Sequence, residues 1–476
     1  MSERSLVIEQ LPYRSVEGWG GAVAAPGYLI QGAGREDIVA VVDLARRSGR
    51  SISLRGAGRS YGDAAINAEG LVLDLTPMHR VLAWDRLSGE ITAEPGVTIE
   101  QLWQHTLPDG WWPPVVPGTA GPTLGGALAM NIHGKNNFAA GPIGDHVVAF
   151  DLLLTDGSVV RCTPEVNAEL FDAVIGGLGM LGVVVSITLR MKRVNSGLLD
   201  VEASHIPDLR TMLDFFEQER GRSDYMVGWI DGFASGAALG RGVAHSARYL
   251  AGEEGAEAAG TLSVRAQRLP STILGVVPKS VMWRLMRPVL NNAGMRTVNL
   301  VKERGSRLLD KRRRYRQSLA AFSFLLDSVP NWRRAYGGGG LIQFQSFIPA
   351  ANADDAFRSQ LRETQSAGMP SYLAVVKRHR PDRFLLSHAV DGYSLALDFR
   401  VTEANRERLW AMCDRLAAIT CEAGGRFYPA KDATLRPEYL RRSLGEDRIE
   451  RFLSLKRLYD PAMMLQSDLF RRLFSA

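Results

Sequence analysis

The chain has 476 residues, 46% of them hydrophobic and 23% charged, which is the composition of a globular protein and a length that predicts two or three domains, with two as our working number. It contains three cysteines, no CxxC pair and no histidine spacing suited to zinc, so we expect neither a metal centre nor a disulfide framework. The net charge of +6 would allow an anionic partner, but the excess is concentrated in residues 279–316.

The N-terminal residues 1–15 carry charges and lack the apolar run of a signal peptide. No later stretch of the sequence approaches the length of apolar chain that a membrane span requires. The sequence therefore predicts a soluble, cytoplasmic protein.

Residues 36–62 carry the first structural pattern. Residues 36–48 place apolar side chains at helical spacing and end at Gly49, and a short strand is predicted at 51–54. A glycine-rich stretch follows, but the next apolar run, at 71–75, reads as a strand and not as a helix. Because a Rossmann site needs a helix directly after its glycines, a nicotinamide-dependent dehydrogenase is disfavoured.

The rest of the chain divides by pattern into a first α+β region and a region of spaced strands. The first region contains a strand and turn at 89–97, a helix at 98–107, a hairpin around Asp156-Gly157 and a strand at 183–191. The second contains strands at 341–349 and 393–401, a glycine run at 337–340 and a helix at 408–422. The boundary between the two regions falls near residue 195.

Residues 279–316 are strongly basic, with only Glu303 and Asp310 as opposing charges. The basic residues are Lys279, Arg284, Arg287, Arg296, Lys302, Arg304, Arg307, Lys311, Arg312, Arg313, Arg314 and Arg316. Interleaved apolar residues such as Trp283 and Met286 make the segment amphipathic, which is typical of a surface that meets anionic lipid. A solvated helix face or a mobile loop remains an equal alternative. Nucleic acid is disfavoured because no binding motif accompanies the charge.

Three glycine-rich stretches, at 55–62, 117–136 and 176–183, point to a bound dinucleotide. A diphosphate needs several backbone N–H groups aimed at it with no Cβ in the way, and glycines in turns provide such a concave nest. Three of these stretches within about 130 residues favour one long ligand over ordinary surface turns.

The motifs in these stretches, RGAGRSYGD, PGTAGPTLGGALAMNIHGKN and GGLGMLGVVVSITL, resemble the FAD-binding domain of the vanillyl-alcohol-oxidase superfamily, which has the p-cresol methylhydroxylase fold. Within that superfamily the chain is most similar to the decaprenylphosphoryl-β-D-ribose oxidase family. NIHGKN at 131–136, RAYG at 334–337, LIQFQ at 341–345, YPAKD at 428–432 and DPAMMLQSDLFRRL at 460–473 carry this second resemblance.

The resemblance implies an α+β fold with a two-subdomain FAD-binding domain of p-cresol methylhydroxylase type, made of residues 8–195 and 426–476. An α+β substrate domain built on an antiparallel sheet, residues 196–425, would be inserted between them. The implied FAD contacts are Leu54, Arg55, Gly56, Ala57, Gly58, Arg59, Ser60, Tyr61, Gly62, Asp63, Ala64, Gly118, Thr123, Leu124, Gly125, Gly126, Met130, Asn131, Ile132, His133, Val184 and Tyr428. Arg59-Ser60 replaces the histidine that tethers flavin in many members, so the FAD should be noncovalent.

For catalysis the resemblance brings Lys431 and His133 to the flavin. Oxidation of an alcohol needs a hydride acceptor and a base for the hydroxyl proton. Lys431 is the first candidate for that base, and the alternative is a cation that orients the hydroxyl or pairs with a phosphate. His133 could place its imidazole near the flavin or could simply hydrogen-bond to backbone.

The implied substrate contacts are Tyr61, Lys135, Tyr336, Gln343, Gln345, Lys377 and Ser394. Gln343 and Gln345 stand two apart on a strand, so both amides point to one face, where they suit sugar hydroxyls unless that face is exposed. Lys377 could meet a phosphate, whereas Lys135 could merely hold its loop. The chain departs from the family at Ala396, where mycobacterial members have cysteine, and at Ser394, where asparagine is common.

The function that this resemblance implies is FAD-dependent oxidation of the C2 hydroxyl of a polyprenylphosphoryl-β-D-ribose, the first half of an epimerisation that supplies cell-wall arabinan. A short-chain reductase would be the partner, and the enzyme could contact an anionic membrane. One alternative is an aldonolactone-type sugar oxidase, although those enzymes carry a His-Trp-Ala-Lys pattern where residues 427–431 here read FYPAK. A catalytically silent flavin-binding scaffold is the other alternative, disfavoured by the presence of His133 and Lys431.

Overall fold

The computed structural model describes residues 6–251, 259–273, 277–308 and 312–474. The helices are α1 (Arg35–Ser48), α2 (Ile99–Thr106), α3 (Leu124–Ala129), α4 (Asn137–Ala140), α5 (Ala168–Val174), α6 (Leu209–Glu219), α7 (Met282–Met286), α8 (Asn292–Leu308), α9 (Leu319–Ser323), α10 (Ala353–Ser366), α11 (Arg406–Glu422), α12 (Pro437–Leu444), α13 (Glu446–Tyr459) and α14 (Asp468–Phe474). Across those described ranges, none of the helices combines the length and the apolar character needed to cross a bilayer.

The described strands form three main sheets and two small sheets. They are β1 (Tyr13–Glu17), β2 (Ala24–Gln31), β3 (Ile52–Arg55), β4 (Leu71–Asp74), β5 (Val81–Asp85), β6 (Glu90–Ala93), β7 (Trp111–Trp112), β8 (Val147–Leu153), β9 (Val159–Cys162), β10 (Val183–Arg190), β11 (Lys192–Arg193), β12 (Leu198–Ile206), β13 (Tyr225–Ile230), β14 (Gly242–Tyr249), β15 (Thr272–Ile273), β16 (Val277–Pro278), β17 (Arg312–Ser318), β18 (Leu341–Pro349), β19 (Leu373–His379), β20 (Gly392–Arg400) and β21 (Arg426–Phe427). The two small sheets pair β7 with β11 and β15 with β16. The chain is thus a mixed α and β protein with extensive antiparallel pairing.

The first sheet has the order β1-β2-β4-β3, and its β2, β3 and β4 run parallel. Helix α1 packs its apolar stripe on this sheet and ends at Gly49, whose φ of 64° is easy only for glycine. The predicted helix at 36–48 and the strands at 51–54 and 71–75 are confirmed. Between β3 and β4 the glycine stretch leads into bends and turns with no helix, which confirms that the Rossmann order is absent here.

The second sheet, β5-β6-β10-β8-β9, is antiparallel throughout and includes the predicted hairpin, β8–β9. The core beside it is apolar, with the buried rings of Phe150 and Phe171 stacked at a centroid distance of 5.3 Å. The free cysteines Cys162, Cys413 and Cys421 are all buried.

The third sheet has eight antiparallel strands in the order β17-β12-β14-β13-β19-β20-β18-β21. Helices α6, α10 and α11 cover one face of it. Side chains alternate between the two faces of a strand, so every second residue of β13, β18 and β19 is turned away from these helices. That second face forms one wall of the cavity described below.

The C-terminal segment returns to the first sheet. The N–H of Ile52 donates to the carbonyl of Met464 at 2.7 Å, and the N–H of Gln466 donates to the carbonyl of Ile52 at 2.8 Å. Arg472 forms ion pairs with Asp63 at 2.7 Å and with Asp432 at 2.9 Å. The last residues of the chain therefore hold the N-terminal glycine stretch in place. Residues 426–427, at the start of this return, still pair as β21 with β18 of the third sheet.

The basic segment 279–316 forms two different surfaces. Helices α7 and α8 leave Leu285 and Val301 strongly exposed beside arginines, which fits the predicted amphipathic surface. Its last part is an edge strand, β17, on which Arg314 pairs with Asp200, at 3.4 Å. Charges on an edge strand protect a sheet from pairing with another chain, so this part of the excess has a structural explanation. Asp310 and Lys311 lie outside the described residues.

Candidate active site

A cavity of ≈ 940 Å³ runs between the glycine stretches and the third sheet. One wall, the glycine wall, consists of residues 54–61, 117–130 and 177–184. The opposite wall, the sheet wall, consists of side chains from β13, β14, β18, β19 and β20. Tyr428, Ala430 and Lys431 close the space between the two walls. The three predicted glycine motifs therefore converge on one concave site.

Main-chain donors characterise the glycine wall. Within the described structure, no backbone N–H of residues 56–60 donates to a protein acceptor, and all five residues line the cavity. A Cβ on Gly56 would stand 2.0 Å from Thr123 Oγ1, and one on Gly125 would stand 2.7 Å from Pro95 Cβ. Glycine at these positions lets the loops pack closely, and it leaves the amides of residues 56–60 without a protein acceptor at the cavity. A row of such amides suits a phosphate anion.

Most of the predicted cofactor contacts lie on this cavity. Those that line it are Leu54, Arg55, Gly56, Ala57, Gly58, Arg59, Ser60, Tyr61, Ala64, Gly118, Thr123, Gly125, Gly126, Met130, Ile132, His133, Val184 and Tyr428. Gly62, Asp63, Leu124 and Asn131 lie behind the wall instead. Gly62 abuts the carbonyl of Asp432, Asp63 pairs with Arg472, Leu124 is core, and the Asn131 amide accepts from the N–H of Gly144 at 3.0 Å.

On the sheet wall, neighbouring strands bring polar side chains into register. Gln343 lies opposite Asp398, and Gln345 lies opposite Ala396, which in turn faces Val375 of β19. Gln343, Gln345 and Lys377 line the cavity, as the sequence predicts for an inward-facing set. Of the other predicted substrate contacts, Tyr61 and Lys135 line it. Tyr336 and Ser394 are buried just behind the wall.

Lys431 follows the short strand β21, and its loop is fixed by backbone bonds, including one from Tyr61 N–H to the carbonyl of Ala430 at 2.9 Å. The Lys431 ammonium lies 3.8 Å from the centre of the Tyr61 ring. Burial lowers the pKa of Lys431, and the charge of Asp398 opposes that effect. Burial likewise raises the pKa of Asp398, whose carboxylate accepts a hydrogen bond from the Gln343 amide. The site thus holds an amine and a carboxyl group whose pKa values have moved towards each other.

His133 belongs to a buried cluster with His379 and His388, at ring-centroid distances of 4.9 and 5.4 Å. Its Nε2 lies 3.3 Å from the amide nitrogen of Gln345, whereas its Nδ1 has no partner among the described residues. Burial lowers the pKa of His133 well below the usual range, with Lys377 adding to the effect. The imidazole is therefore neutral near pH 7, and its buried Nδ1 is left without a hydrogen-bond partner among the described residues.

Sequence reasoning missed several residues of the site. Asp398 and His379 are buried and do not line the cavity, but they follow positions 396 and 377 by two along their strands, so the alternation of side chains could have identified them. Trp229, His245 and Lys302 line the cavity, but no motif distinguishes them.

These observations fit a dinucleotide flavin. Free main-chain amides on the glycine wall suit its diphosphate, and the unpartnered His133 Nδ1 is a buried polar atom that a ring carbonyl or nitrogen could satisfy. Residues 54–62 contain no histidine or cysteine that could form a covalent tether.

Comparison with known proteins agrees with this geometry. The family described as FAD binding domain matches residues 26–163. Decaprenylphosphoryl-β-D-ribose oxidase of Mycolicibacterium smegmatis is 30% identical over 464 residues, 96% of both chains. L-Gulonolactone oxidase of Mus musculus is 28% identical over 185 residues, 39% of this chain and 41% of that one. D-Arabinono-1,4-lactone oxidase of Yarrowia lipolytica is 26% identical over 183 residues, 37% of this chain and 34% of that one. The chain therefore belongs to the decaprenylphosphoryl-β-D-ribose oxidase family and is an FAD-dependent oxidoreductase that acts on an alcohol donor.

Proposed function

We propose that the protein oxidises the C2 hydroxyl of a polyprenylphosphoryl-β-D-ribose to the 2-keto sugar. The observation that carries this proposal is the meeting of the two walls at Lys431, where a lysine with a lowered pKa stands beside Asp398 and Gln343 in the cavity that the glycine stretches line. A relative that covers 96% of the chain is named for this substrate class.

Lys431 acts as the base. Its lowered pKa makes a neutral amine available near pH 7, and that amine can take the hydroxyl proton. Bound FAD supplies the two-electron acceptor. Gln343 and Gln345 hold the sugar hydroxyls, and His133 bonds with the ligand through its free Nδ1. The remaining proposed contacts are the cofactor and substrate residues predicted from the sequence, with Gly62, Asp63, Leu124, Asn131, Tyr336 and Ser394 supporting the wall from behind.

The FAD is held noncovalently, by the main-chain amides of residues 56–60 and the other two glycine stretches. The FAD-binding domain comprises residues 8–195 and 426–476, with the substrate domain, 196–425, inserted between them. In the two-subdomain arrangement of p-cresol methylhydroxylase type, the first and second sheets would each form the core of one subdomain. The return of the C-terminal segment to Ile52 supports this discontinuous domain.

Two partners complete the proposal. A short-chain reductase would reduce the 2-keto sugar to the arabinose. An anionic membrane would contact the face of α7 and α8, where Leu285 and Val301 are exposed beside Arg284 and Arg304. Helix α8 also contributes Lys302 to the cavity, so a lipid bound at this face would reach the site directly.

Aldonolactone oxidation is the second candidate, because the partial matches include two sugar-lactone oxidases. Anaerobic titration of the purified holoenzyme, followed through flavin absorbance, separates the two. Bleaching by a short-chain prenylphosphoryl ribose, with aldonolactones inert, supports the proposed function. Bleaching by aldonolactones alone would replace it with the second candidate. Release of the flavin by denaturation or acid precipitation, without proteolysis, tests its noncovalent attachment.

A further inference from the structure

A group of basic side chains lines the cavity in addition to Lys431. It comprises Lys302 on α8, His245 on β14, Lys377 on β19 and Lys135 in the loop after α3. Lys302 and His245 belong to no motif, and the oxidation itself uses neither of them. The cluster therefore calls for an explanation of its own.

The third sheet fixes the arrangement of this group. His245 lies opposite Val227 on β13, and two residues further along β13 Trp229 lies opposite Val375 of β19. The Lys302 ammonium sits over the Trp229 ring at 3.6 Å from its centre, which holds the lysine at the cavity. Lys135 is anchored from behind, because its ammonium donates to the carbonyl of Ser323 at 3.3 Å. Lys302 and Lys377 form no ion pair with any residue that the structure describes.

Charge accumulates here without compensation. Burial lowers the pKa of Lys135 to about 7 and the pKa of Lys377 to about 8, whereas Lys302 is exposed at the cavity. The pKa of His245 falls to about 4, through burial and then the charges of Lys302 and Lys135, so this imidazole is a neutral N–H donor. In the described part of the chain, no carboxylate raises the pKa of any of these four groups. A bound anion would favour the charged forms of these lysines against the desolvation that lowers their pKa values.

We propose that this end of the cavity is an anion subsite for the phosphoryl group of the substrate, with Lys302 and Lys377 as cations and His245 as a hydrogen-bond donor. The inference deepens the proposed function and rests on it for the identity of the phosphorylated sugar. The subsite is separate from the glycine wall, whose free main-chain amides serve the dinucleotide. Variants at the subsite should therefore retain full FAD content.

The test compares Lys302→Gln with Arg362→Gln in the holoenzyme. Arg362 is the control because it is an exposed cation on α10, does not line the cavity and lies on neither of the helices proposed to face the membrane. The measurement is the ratio of kcat/KM for a short-chain prenylphosphoryl ribose to that for methyl riboside. We expect Lys302→Gln to lower this ratio about tenfold and Arg362→Gln to leave it unchanged. An unchanged ratio in Lys302→Gln would overturn the subsite.

Binding of inorganic pyrophosphate to the holoenzyme, measured by calorimetry, gives a readout that needs no turnover. We expect binding with proton uptake near pH 8, weakened in Lys302→Gln and at pH 9, where Lys377 is mostly neutral. Binding that is indifferent to Lys302 overturns the subsite even if the ribose substrate is oxidised. If pyrophosphate binding depends on Lys302 but the enzyme oxidises no ribose substrate, the proposed function is wrong and the anion subsite is supported. Ribose 1-phosphate and the prenylphosphoryl ribose are then compared as competitors of pyrophosphate binding. Equal competition would mean that the subsite recognises the phosphate alone. Stronger competition by the prenyl ester would mean that it recognises the lipid phosphate.

Discussion

The two walls of the cavity present different kinds of binding group. The glycine wall presents backbone N–H groups of residues 56–60 and few charged side chains, whereas the sheet wall presents Gln343, Gln345, Lys377 and, at its edge, Lys431. Main-chain donors depend on the path of the backbone, while the sheet wall depends on the chemical nature of each side chain. Damage to the first wall should therefore appear as lost FAD or lost stability, and damage to the second as lost turnover with FAD retained.

The largest effect is expected at Lys431, where the walls meet. Lys431→Met removes the proposed base and should slow anaerobic flavin reduction by the substrate about 10²–10⁴-fold. FAD content should stay at the level of the unmodified enzyme, because the glycine wall is untouched. Stopped-flow absorbance measures both the rate of flavin reduction and the FAD content. Lys192→Met, at an exposed lysine outside the cavity, is the control. A variant that reduces its flavin at the original rate would exclude Lys431 as the base.

The pH dependence follows from the direction of the pKa shifts. Only the neutral amine of Lys431 can accept a proton, so the rate of flavin reduction should rise with pH through the pKa of Lys431. Burial lowers that pKa, which places the rise below the usual range of lysine. A rise in the ordinary lysine range would contradict the buried environment. No rise in the Lys431→Met variant is the matching control.

The next effect concerns the support of the glycine wall. Lys456 is fully buried, pairs with Asp460, and donates to the carbonyls of Met180 and Leu465 at 2.7 Å each. It thereby joins the C-terminal segment to the third glycine stretch. Asp460→Ala leaves that ammonium buried without its counter-ion, so we expect a loss of about 3–5 kcal/mol in the free energy of unfolding.

Denaturant unfolding followed by fluorescence measures this loss. Glu450→Ala is the control, because it breaks a 3.6 Å pair with Arg457 on the exposed side of the same helix, α13. Such an exposed pair should change stability by less than about 0.5 kcal/mol. Equal effects of the two variants would show that the buried pair does not hold the segment.

A single glycine on the wall should give a smaller effect. Gly56→Ala places a Cβ 2.0 Å from Thr123 Oγ1, which forces the first two glycine stretches apart at a cost of about 1–3 kcal/mol. We expect the purified variant to carry less FAD, measured as the ratio of absorbance at the flavin band to that of the protein. Gly34→Ala is the matched control, because a Cβ at Gly34 would meet no atom within 4 Å. Full FAD content in Gly56→Ala would separate that glycine from cofactor binding.

The contrast between the walls also explains what the sequence could predict. The helix at 36–48, the hairpin at Asp156-Gly157 and the strands β18 and β20 follow local periodicity, and the structure confirms them. The glycine motifs are contiguous, so most of the glycine wall was recognisable from short stretches. The basic segment was harder to predict. Its division into helices and an edge strand depends on pairing between β17 and β12, which are more than 100 residues apart.

The sheet wall was only partly predictable for the same reason. Gln343 and Gln345 lie in a motif, whereas Lys302, His245 and Trp229 come from three separate elements and meet only when β13, β14 and α8 are assembled. The cluster of His133, His379 and His388 likewise joins distant positions. No local pattern encodes such neighbours, although alternation along β19 does lead from Lys377 to His379.

The smallest expected effect lies behind the sheet wall, at Ser394. Its hydroxyl accepts a hydrogen bond from the Gln345 amide at 3.4 Å and lies 2.8 Å from His379 Nε2, while the same Gln345 nitrogen lies 3.3 Å from His133. We therefore predict that Ser394 positions Gln345. Ser394→Ala removes the hydrogen bonds that hold the Gln345 amide, and we expect this to weaken substrate binding by about 1 kcal/mol. KM should therefore rise about fivefold, with kcat and FAD content nearly unchanged. Ser359→Ala, at an exposed serine of α10, is the control. A fall in FAD content instead of a rise in KM would mean that Ser394 supports the cofactor, and the division of labour between the walls would then be wrong at this point.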